Sequence, residues 1–207
     1  MSTNFYASQP RVQPLLSILT PAIPQRLAQL QVLGAEIERQ RVGVEDKVEW
    51  LALVDPCGHR TIGEKRDELV QLARGRFVAF VDDDDGISPD YVTYLLGAIR
   101  EADEKVSVIT FRQAASWNGQ CSTVEFRLGQ LNAPFTVNGT TQRNAWHVCA
   151  WRSTLAKAHH FPATNYGEDW AWARHLCLSA AGEIHIPLVL HTYTHHENTT
   201  AAPAPTS

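Results

Sequence analysis

The chain has 207 residues, 44% of them hydrophobic, so it is long enough to bury a core and is expected to form one domain. A formal net charge of −4 excludes an overall basic surface for nonspecific nucleic-acid binding, although a local basic groove stays compatible with it. Four widely spaced cysteines without a CxxC pair indicate reduced thiols, and no apolar run reaches membrane-spanning length. We therefore expect a cytoplasmic protein without membrane insertion.

Strand-like and helix-like patterns alternate along the first half of the chain. An apolar run at 15–19, closed by Thr20-Pro21, predicts a strand, and a helix is expected after Pro24. A second strand is predicted at 48–54, ending at Asp55. Thr61 and Glu64 fit a capping box at the start of a helix, for which Gly75 is a suitable end.

The second half continues the alternation less regularly. A strand is predicted at 76–81, and Ser88-Pro89 suits the N-cap and first position of the next helix. A strand at 106–111 and a weak pattern up to about 148 precede a helix at 168–180 and a strand at 184–190. The pattern predicts an α/β fold with a mostly parallel sheet between helices, in one domain over 1–198 with a disordered tail at 199–207.

Four consecutive carboxylates, Asp82 to Asp85, follow the apolar run at 76–81 without a break. Like charges repel one another, so such a cluster suits a hard divalent cation, Mg²⁺ or Mn²⁺, which binds oxygen ligands. The alternative is a solvated acidic turn. Its place after a buried-looking strand favours the metal, because ligands of open α/β sheets bind at the carboxyl ends of strands.

Two further charged pairs stand at the starts of predicted helices. Lys65 and Arg66 lie in a first turn, where the helix dipole disfavours cations, so either an anion binds nearby or the side chains face solvent. Glu168 and Asp169 follow Gly167 at the start of the aromatic-rich helix. They suit the helix dipole, or they supply a general base beside a pocket walled by aromatic rings.

A late segment, 191–198, carries three histidines, among them His191 and His195. This spacing is compatible with a metal site, whereas histidines near a terminus are often exposed and unused. A zinc site is weakened because no cysteine lies near enough to complete a short-spaced motif.

Together, the strand ending at Asp55, the basic helix, the Asp82–Asp85 run, Gly167-Glu168-Asp169 and a late histidine resemble a family-2-type glycosyltransferase with the GT-A fold. The likeness covers roughly residues 15–198. Two features depart from the family pattern: Asp67 stands where such helices often carry Asn, and the chain is short for the family.

The resemblance implies roles for individual residues. Thr20, Pro21 and Asp55 would grip the nucleotide of a nucleotide-sugar donor, with a UDP-sugar favoured. An Asp-x-Asp motif maps onto Asp82, facing ribose or base, and Asp84, binding Mn²⁺ or Mg²⁺; the four-Asp run leaves the register open by one, so Asp83 also enters the set. Asp169, next to Glu168, would be the catalytic base of an inverting transfer, His191 or His195 would complete the metal site, and Lys65 or Arg66 would assist the leaving group.

Other classes of function stay open on the sequence. A sugar-nucleotide nucleotidyltransferase would want a glycine-rich loop after the first strand, which this chain lacks. A noncatalytic nucleotide-sugar or metal-binding module would tolerate loss of Asp169. The sequence does not identify the acceptor, and the family resemblance implies either a carbohydrate or a hydroxymethylated base in DNA. Trp146, Trp151, Trp170 and Trp172 could stack on a sugar or on a base, or simply form core.

Overall fold

The computed structural model describes residues 13–195, and these residues form strands and helices in alternation. The strands are β1 (Leu16–Ala22), β2 (Val48–Val54), β3 (Phe77–Phe80), β4 (Gly86–Ile87), β5 (Val108–Trp117), β6 (Gln120–Arg127), β7 (Thr140–Asn144), β8 (Ala150–Arg152) and β9 (Glu183–His195). The helices are α1 (Leu27–Arg41), α2 (Ile62–Leu72), α3 (Tyr91–Glu101), α4 (Ser153–Lys157) and α5 (Glu168–Ser179), with a 3₁₀ turn at Pro24–Arg26.

Within the described residues the strands form one sheet in the order β2-β1-β3-β8-β5-β6-β7, with β9 paired to β5 and β4 to β9. The pairings of β1 with β2 and β3, of β5 with β9 and of β6 with β7 are parallel. The shorter pairings of β8 with β3 and β5, of β4 with β9 and the hairpin of β5 with β6 are antiparallel. The predicted mostly parallel sheet flanked by helices is confirmed. The predicted domain end at 198 and the tail at 199–207 lie outside the described residues.

Alternation along the strands divides the core into two layers. In β3, Phe77 and Ala79 pack with α1 and α3, whereas Val78 and Phe80 pack with α2, α4 and α5 on the other face. This follows from the period of two in a strand, which sends successive side chains to opposite faces. Both faces are therefore covered, and strand ends carry the polar residues.

The capping box predicted at the start of α2 is confirmed. Thr61 Oγ1 accepts a hydrogen bond from the Glu64 amide, and the Glu64 carboxylate accepts one from the Thr61 amide at 2.8 Å. The predicted role of Gly75 as the helix end is wrong, because α2 ends at Leu72. Gly75 instead lets the chain approach β1 closely, where its amide donates to Ser17 Oγ at 2.8 Å.

Three other predicted boundaries change. Helix α3 begins at Tyr91 rather than at Pro89, because the Ser88 amide is bound to the Leu190 carbonyl and the Tyr91 amide closes a turn onto the Ser88 carbonyl. Strand β1 continues through Thr20 and Pro21, and β9 continues to His195 rather than ending at Leu190. In both strands, parallel pairing to a neighbour carries the extended backbone beyond the apolar run.

Candidate active site

The four aspartates lie at the carboxyl end of β3, and each has a different environment. Asp83 is buried and accepts hydrogen bonds from the Ile23 amide at 3.0 Å and from Arg26 at 3.1 Å. Asp84 also pairs with Arg26, at 2.9 Å. These two carboxylates are therefore held by the turn that follows β1.

Asp82 and Asp85 point away from that turn and line a cavity instead. Asp82 Oδ2 accepts from Arg66 Nη2 at 2.7 Å, and its Oδ1 is buried without a hydrogen-bond partner. Asp85 Oδ2 lies 3.4 Å from His191 Nε2, on the neighbouring strand β9. Of the four aspartates, these two are thus the ones placed to meet a ligand in the cavity.

Arg66 is the cation around which the carboxylates gather. Its side chain is buried, with Nη2 bound to Asp82 and Nε 3.3 Å from Glu168 Oε1 at the start of α5. Burial disfavours its charge, but Asp82, Glu168 and Asp169 outweigh that effect and raise its pKa. The expectation that Arg66 either faces solvent or waits for an anion is corrected: its anions are carboxylates of the protein.

Lys65 is buried as well and does not reach the same cluster. Its Nζ donates to the Ala22 carbonyl at 3.0 Å, at the end of β1. Burial lowers the pKa of Lys65, while the charges of Asp83 and Asp55 act in the opposite direction. Lys65 therefore stabilises the end of β1 by binding the carbonyl group of its last residue.

Asp169 lies beside His147, a histidine that no sequence motif identifies. Its Oδ2 lies 3.5 Å from His147 Nδ1, and its Oδ1 accepts from the Trp170 amide at 2.7 Å. Burial lowers the pKa of His147 well below its usual range, and the positive charge of Arg66 adds to this. His147 is thus a neutral imidazole next to the predicted base, with Nδ1 buried and lacking a hydrogen-bond partner.

The predicted metal ligands Asp84, His191 and His195 are not brought together. Among residues 13–195, no group of three or more His, Cys, Asp or Glu side chains has metal-binding spacing. His191 is fully buried beside Asp85, whereas the His195 ring stacks on Trp117 with 3.8 Å between ring centroids. Of the two alternative histidines, His191 is thus the one that lies next to the acidic run, and its neighbour there is Asp85, which the sequence prediction did not include.

Burial shifts the pKa values of both Asp85 and His191, and repulsion from neighbouring carboxylates adds to the shift of Asp85. Burial raises the pKa of Asp85 well above its usual range, and the neighbouring carboxylates of Asp82 and Asp84 raise it further. Burial lowers the pKa of His191 to about 4. The neutral imidazole of His191 therefore supplies no positive charge that would stabilise the ionised form of Asp85.

The residues predicted to grip the nucleotide lie on β1 and after β2, outside the cavity lining. Thr20 is buried in β1 and accepts a hydrogen bond from Trp50 Nε1 at 3.0 Å, with Pro21 buried next to it. Asp55 accepts from the amides of Arg60, at 2.8 Å, and Cys57, at 3.1 Å. Asp55 therefore orders the loop between β2 and α2.

The cavity itself has a volume of about 900 Å³ and lies where β3, β5 and the start of α5 meet. Its polar floor holds Arg66, Asp82, Asp85, His147, Glu168 and Asp169. Aromatic and apolar side chains of β5, β6 and the loop before α5 form its walls. The arrangement can therefore enclose a polar substrate and present a carboxylate to it in surroundings that partly exclude water.

Solved structures of TarS from S. aureus have a similar fold. TarS 1–349 of S. aureus, in complex with UDP-GlcNAc, superposes with a TM-score of 0.63 and 15% identity over 93% of this chain and 62% of that chain. TarS 1–349 in complex with UDP gives 0.56 and 19% identity, over 87% of this chain and 60% of the other. The chain therefore has the fold of TarS.

Sequence comparison agrees over a shorter segment. The "Putative glycosyltransferase EpsH" of Bacillus subtilis (strain 168) is 32% identical over 69 residues, which are 33% of this chain and 19% of EpsH. No protein-family model matches the sequence. The predicted GT-A likeness is confirmed, and the chain spans less than two thirds of each of these relatives.

Across residues 13–195, no helix is both long and apolar enough to cross a membrane.

Proposed function

We propose that this chain is a metal-dependent, inverting glycosyltransferase that moves a sugar from a nucleotide-sugar donor to an acceptor hydroxyl. The observation that carries the proposal is the position of Asp169 on the floor of the cavity, beside Asp82, Glu168 and their shared cation Arg66. This cluster lies at the carboxyl end of β3, where α/β folds bind ligands. The TarS complexes with UDP-GlcNAc and UDP favour a UDP-sugar as the donor.

Mn²⁺ or Mg²⁺ would bind beside the end of β3, where residues 13–195 offer a pair of protein ligands rather than a group of three or more. Two buried polar atoms there, Asp82 Oδ1 and His191 Nε2, lack a hydrogen-bond partner, and Asp85 is a buried acid without a full counter-charge. Mg²⁺ in such sites takes one or two carboxylates and fills its other positions with phosphate oxygens and water. Asp85 and His191 would hold the ion, with Asp84 available if Arg26 releases it. When bound, the ion neutralises the diphosphate leaving group.

The chain's own groups account for the proton and the geometry of the transfer. Asp169 is partly exposed to the cavity, so its carboxylate can accept the proton of an acceptor hydroxyl during attack. The hydroxyl oxygen bonds to the anomeric carbon from the face opposite the nucleotide while the bond to the diphosphate oxygen breaks. One displacement of this kind inverts the anomeric configuration. Arg66 holds Asp82 and Glu168 in place throughout.

Calorimetry with UDP, in the presence and absence of Mn²⁺, tests the donor and metal half of this proposal. We expect Mn²⁺-dependent binding of UDP that is lost in Asp85→Asn. Asp46→Asn is the matched control, because Asp46 is an exposed carboxylate paired with Lys47 after α1. Binding of UDP that is equally tight without Mn²⁺, or unchanged in Asp85→Asn, would contradict the assignment.

Release of UDP from UDP-GlcNAc tests the catalytic half. We expect Asp169→Asn to lower the rate by about 10²- to 10⁴-fold, since general-base catalysis contributes a factor of this size. Binding of UDP with Mn²⁺ should be unchanged in the same variant. Unchanged turnover in Asp169→Asn would instead favour a binding module or a different base.

A further inference from the structure

The mouth of the cavity carries three large aromatic side chains in contact with solvent. Trp117 and Trp170 are each 48% exposed, and Tyr166 is 84% exposed, and all three line the cavity. Exposing an aromatic ring forgoes the stabilisation that burial of its apolar surface would bring. Three such rings around the mouth of one cavity therefore indicate a ligand-binding surface, which exposed aromatic residues scattered singly would not.

Neighbouring groups hold these rings in defined positions. His195 stacks against Trp117 with an interplanar angle of 14°, and the Arg174 guanidinium lies 5.3 Å from the Trp170 ring centroid. The loop that carries Tyr166 is tied to α2 through Asn165 Oδ1, which accepts from the Ile62 amide at 3.0 Å. Of this aromatic rim, the two tryptophan rings are thus held by their neighbours, and Tyr166 lies on an anchored loop between α4 and α5.

The charge of the cavity distinguishes among ligands that could stack on this rim. Four acidic side chains line it (Asp82, Asp85, Glu168 and Asp169) against two guanidinium groups, Arg66 and Arg143, and burial raises the pKa of Asp85 and of Glu168, so the negative charge rests mainly on the other two. Arg66 already pairs with Asp82 and Glu168, and Arg143 donates to the Ala133 carbonyl at 2.6 Å. A nucleic-acid strand needs Lys and Arg to neutralise successive phosphates, and this lining offers it repulsion instead.

An uncharged sugar meets none of that repulsion. Its C–H faces can pack on aromatic rings, and its hydroxyls can donate to carboxylates and accept from side-chain amides. The lining supplies Asn132 and Asn165, whose Oδ1 atoms are already bound to backbone amides, so their NH₂ groups are the donors left for a ligand. Both recognition elements for a saccharide are therefore present on one surface.

We infer that the acceptor is a neutral saccharide, which stacks on the Trp117–Tyr166–Trp170 rim and presents a hydroxyl to Asp169. This inference rests on the proposed glycosyltransferase function and excludes a modified base in DNA as the acceptor. The lining would repel the phosphates of an acceptor more than the donor diphosphate, because the donor would bind together with a divalent cation that offsets the charge of the carboxylates.

The test is binding of the full chain, loaded with UDP and Mn²⁺, to an array of neutral, sulfated and phosphorylated glycans. A single-stranded DNA oligomer containing 5-hydroxymethylcytosine is measured in parallel by fluorescence anisotropy at physiological salt. We expect binding to neutral glycans that falls at least about tenfold in Trp170→Ala and in Tyr166→Ala, as loss of a stacking contact predicts. Tyr94→Ala is the matched control, because Tyr94 is 43% exposed on α3 and does not line the cavity.

Three results would overturn the inference: binding confined to charged glycans, binding of the DNA oligomer in place of glycans, or no glycan binding. Calorimetry with UDP on the same preparation separates this failure from failure of the proposed function. UDP binding without neutral-glycan binding rejects the saccharide acceptor and leaves the transferase standing. Neutral-glycan binding without any UDP binding rejects the transferase and leaves a saccharide site. Because the substituted side chains are exposed, thermal melting should show that the variants remain folded.

Discussion

Replacing Arg66 with methionine tests whether the buried cation holds the carboxylate cluster together. Methionine keeps an unbranched side chain of similar reach but removes the charge and the hydrogen bonds. In the variant, Asp82 and Glu168 would lose the cation that lies 2.7 Å and 3.3 Å from them. Breaking a buried ion pair from one side leaves uncompensated charge, which is the costly case.

The expected loss follows from these distances. With an effective dielectric constant of about 20, the two attractions amount to about 6 and about 5 kcal/mol before desolvation is counted. Desolvation of the guanidinium cancels much of this in the wild type, so we expect a net destabilisation of about 3–5 kcal/mol at pH 7. Arg60→Met, which breaks the half-exposed Arg60–Glu68 pair, is the control and should cost less than about 1 kcal/mol.

Urea unfolding at several pH values measures both the loss and its cause. Burial raises the pKa of Glu168 despite the opposing charge of Arg66, whereas at Asp82 burial is outweighed and the pKa is lowered, chiefly by Arg66. Without it, burial raises both folded-state pKa values above those of the unfolded chain, so the variant loses stability as the pH rises through that interval. The gap between variant and wild type should therefore narrow from pH 7 towards pH 4. A loss below about 1 kcal/mol at pH 7, or a gap that widens in acid, would refute the reasoning.

Other substitutions probe the elements around the site, each by urea unfolding. Gly63→Ala should cost about 1–3 kcal/mol, because its Cβ would overlap a backbone carbonyl of the loop before α5. The added methyl group of Gly97→Ala would enter open space beside α3, so this variant should be more stable than the wild type by up to about 1 kcal/mol. Equal changes in stability for the two glycine variants would contradict the packing argument. Thr61→Ala should cost about 1 kcal/mol through the lost cap, and Thr61→Ser should restore most of it. Burial opposes the charge on Glu49, but hydrogen bonds from a β1 serine and Arg74 lower its pKa. The wild type should therefore lose stability as the pH falls below about 4.5, and Glu49→Gln should lose less over the same range.

Local signals were enough to predict much of the framework. The apolar run at 48–54 became β2 without change, and Thr61 with Glu64 formed the predicted capping box. The acidic run lies at the end of β3, as its position after an apolar run indicated. These features could be predicted because backbone periodicity and capping depend on residues only a few positions apart.

The extent of β9 could not be predicted in this way. Its last residues, from His191 to His195, include threonine and tyrosine, which favour strands, but they lack the apolar run that marks the strand at 184–190. They are extended because they pair in parallel with β5, about 80 residues earlier in the chain. The antiparallel pairing of β9 with β4, which sets Ile87 opposite His191, brings His191 next to Asp85, a contact that no spacing between the two residues encodes.

The sequence by itself determined the fold class, the location of the carboxylates and the candidate base Asp169. The tertiary structure alone decided which carboxylates share Arg66, which aspartate meets His191, and that His147 lies beside Asp169. The physical reason is that charge and hydrogen bonding in a buried site depend on distances across the sheet. A sequence states which ionisable groups exist, whereas their partners and pKa values are set only when separate strand ends converge.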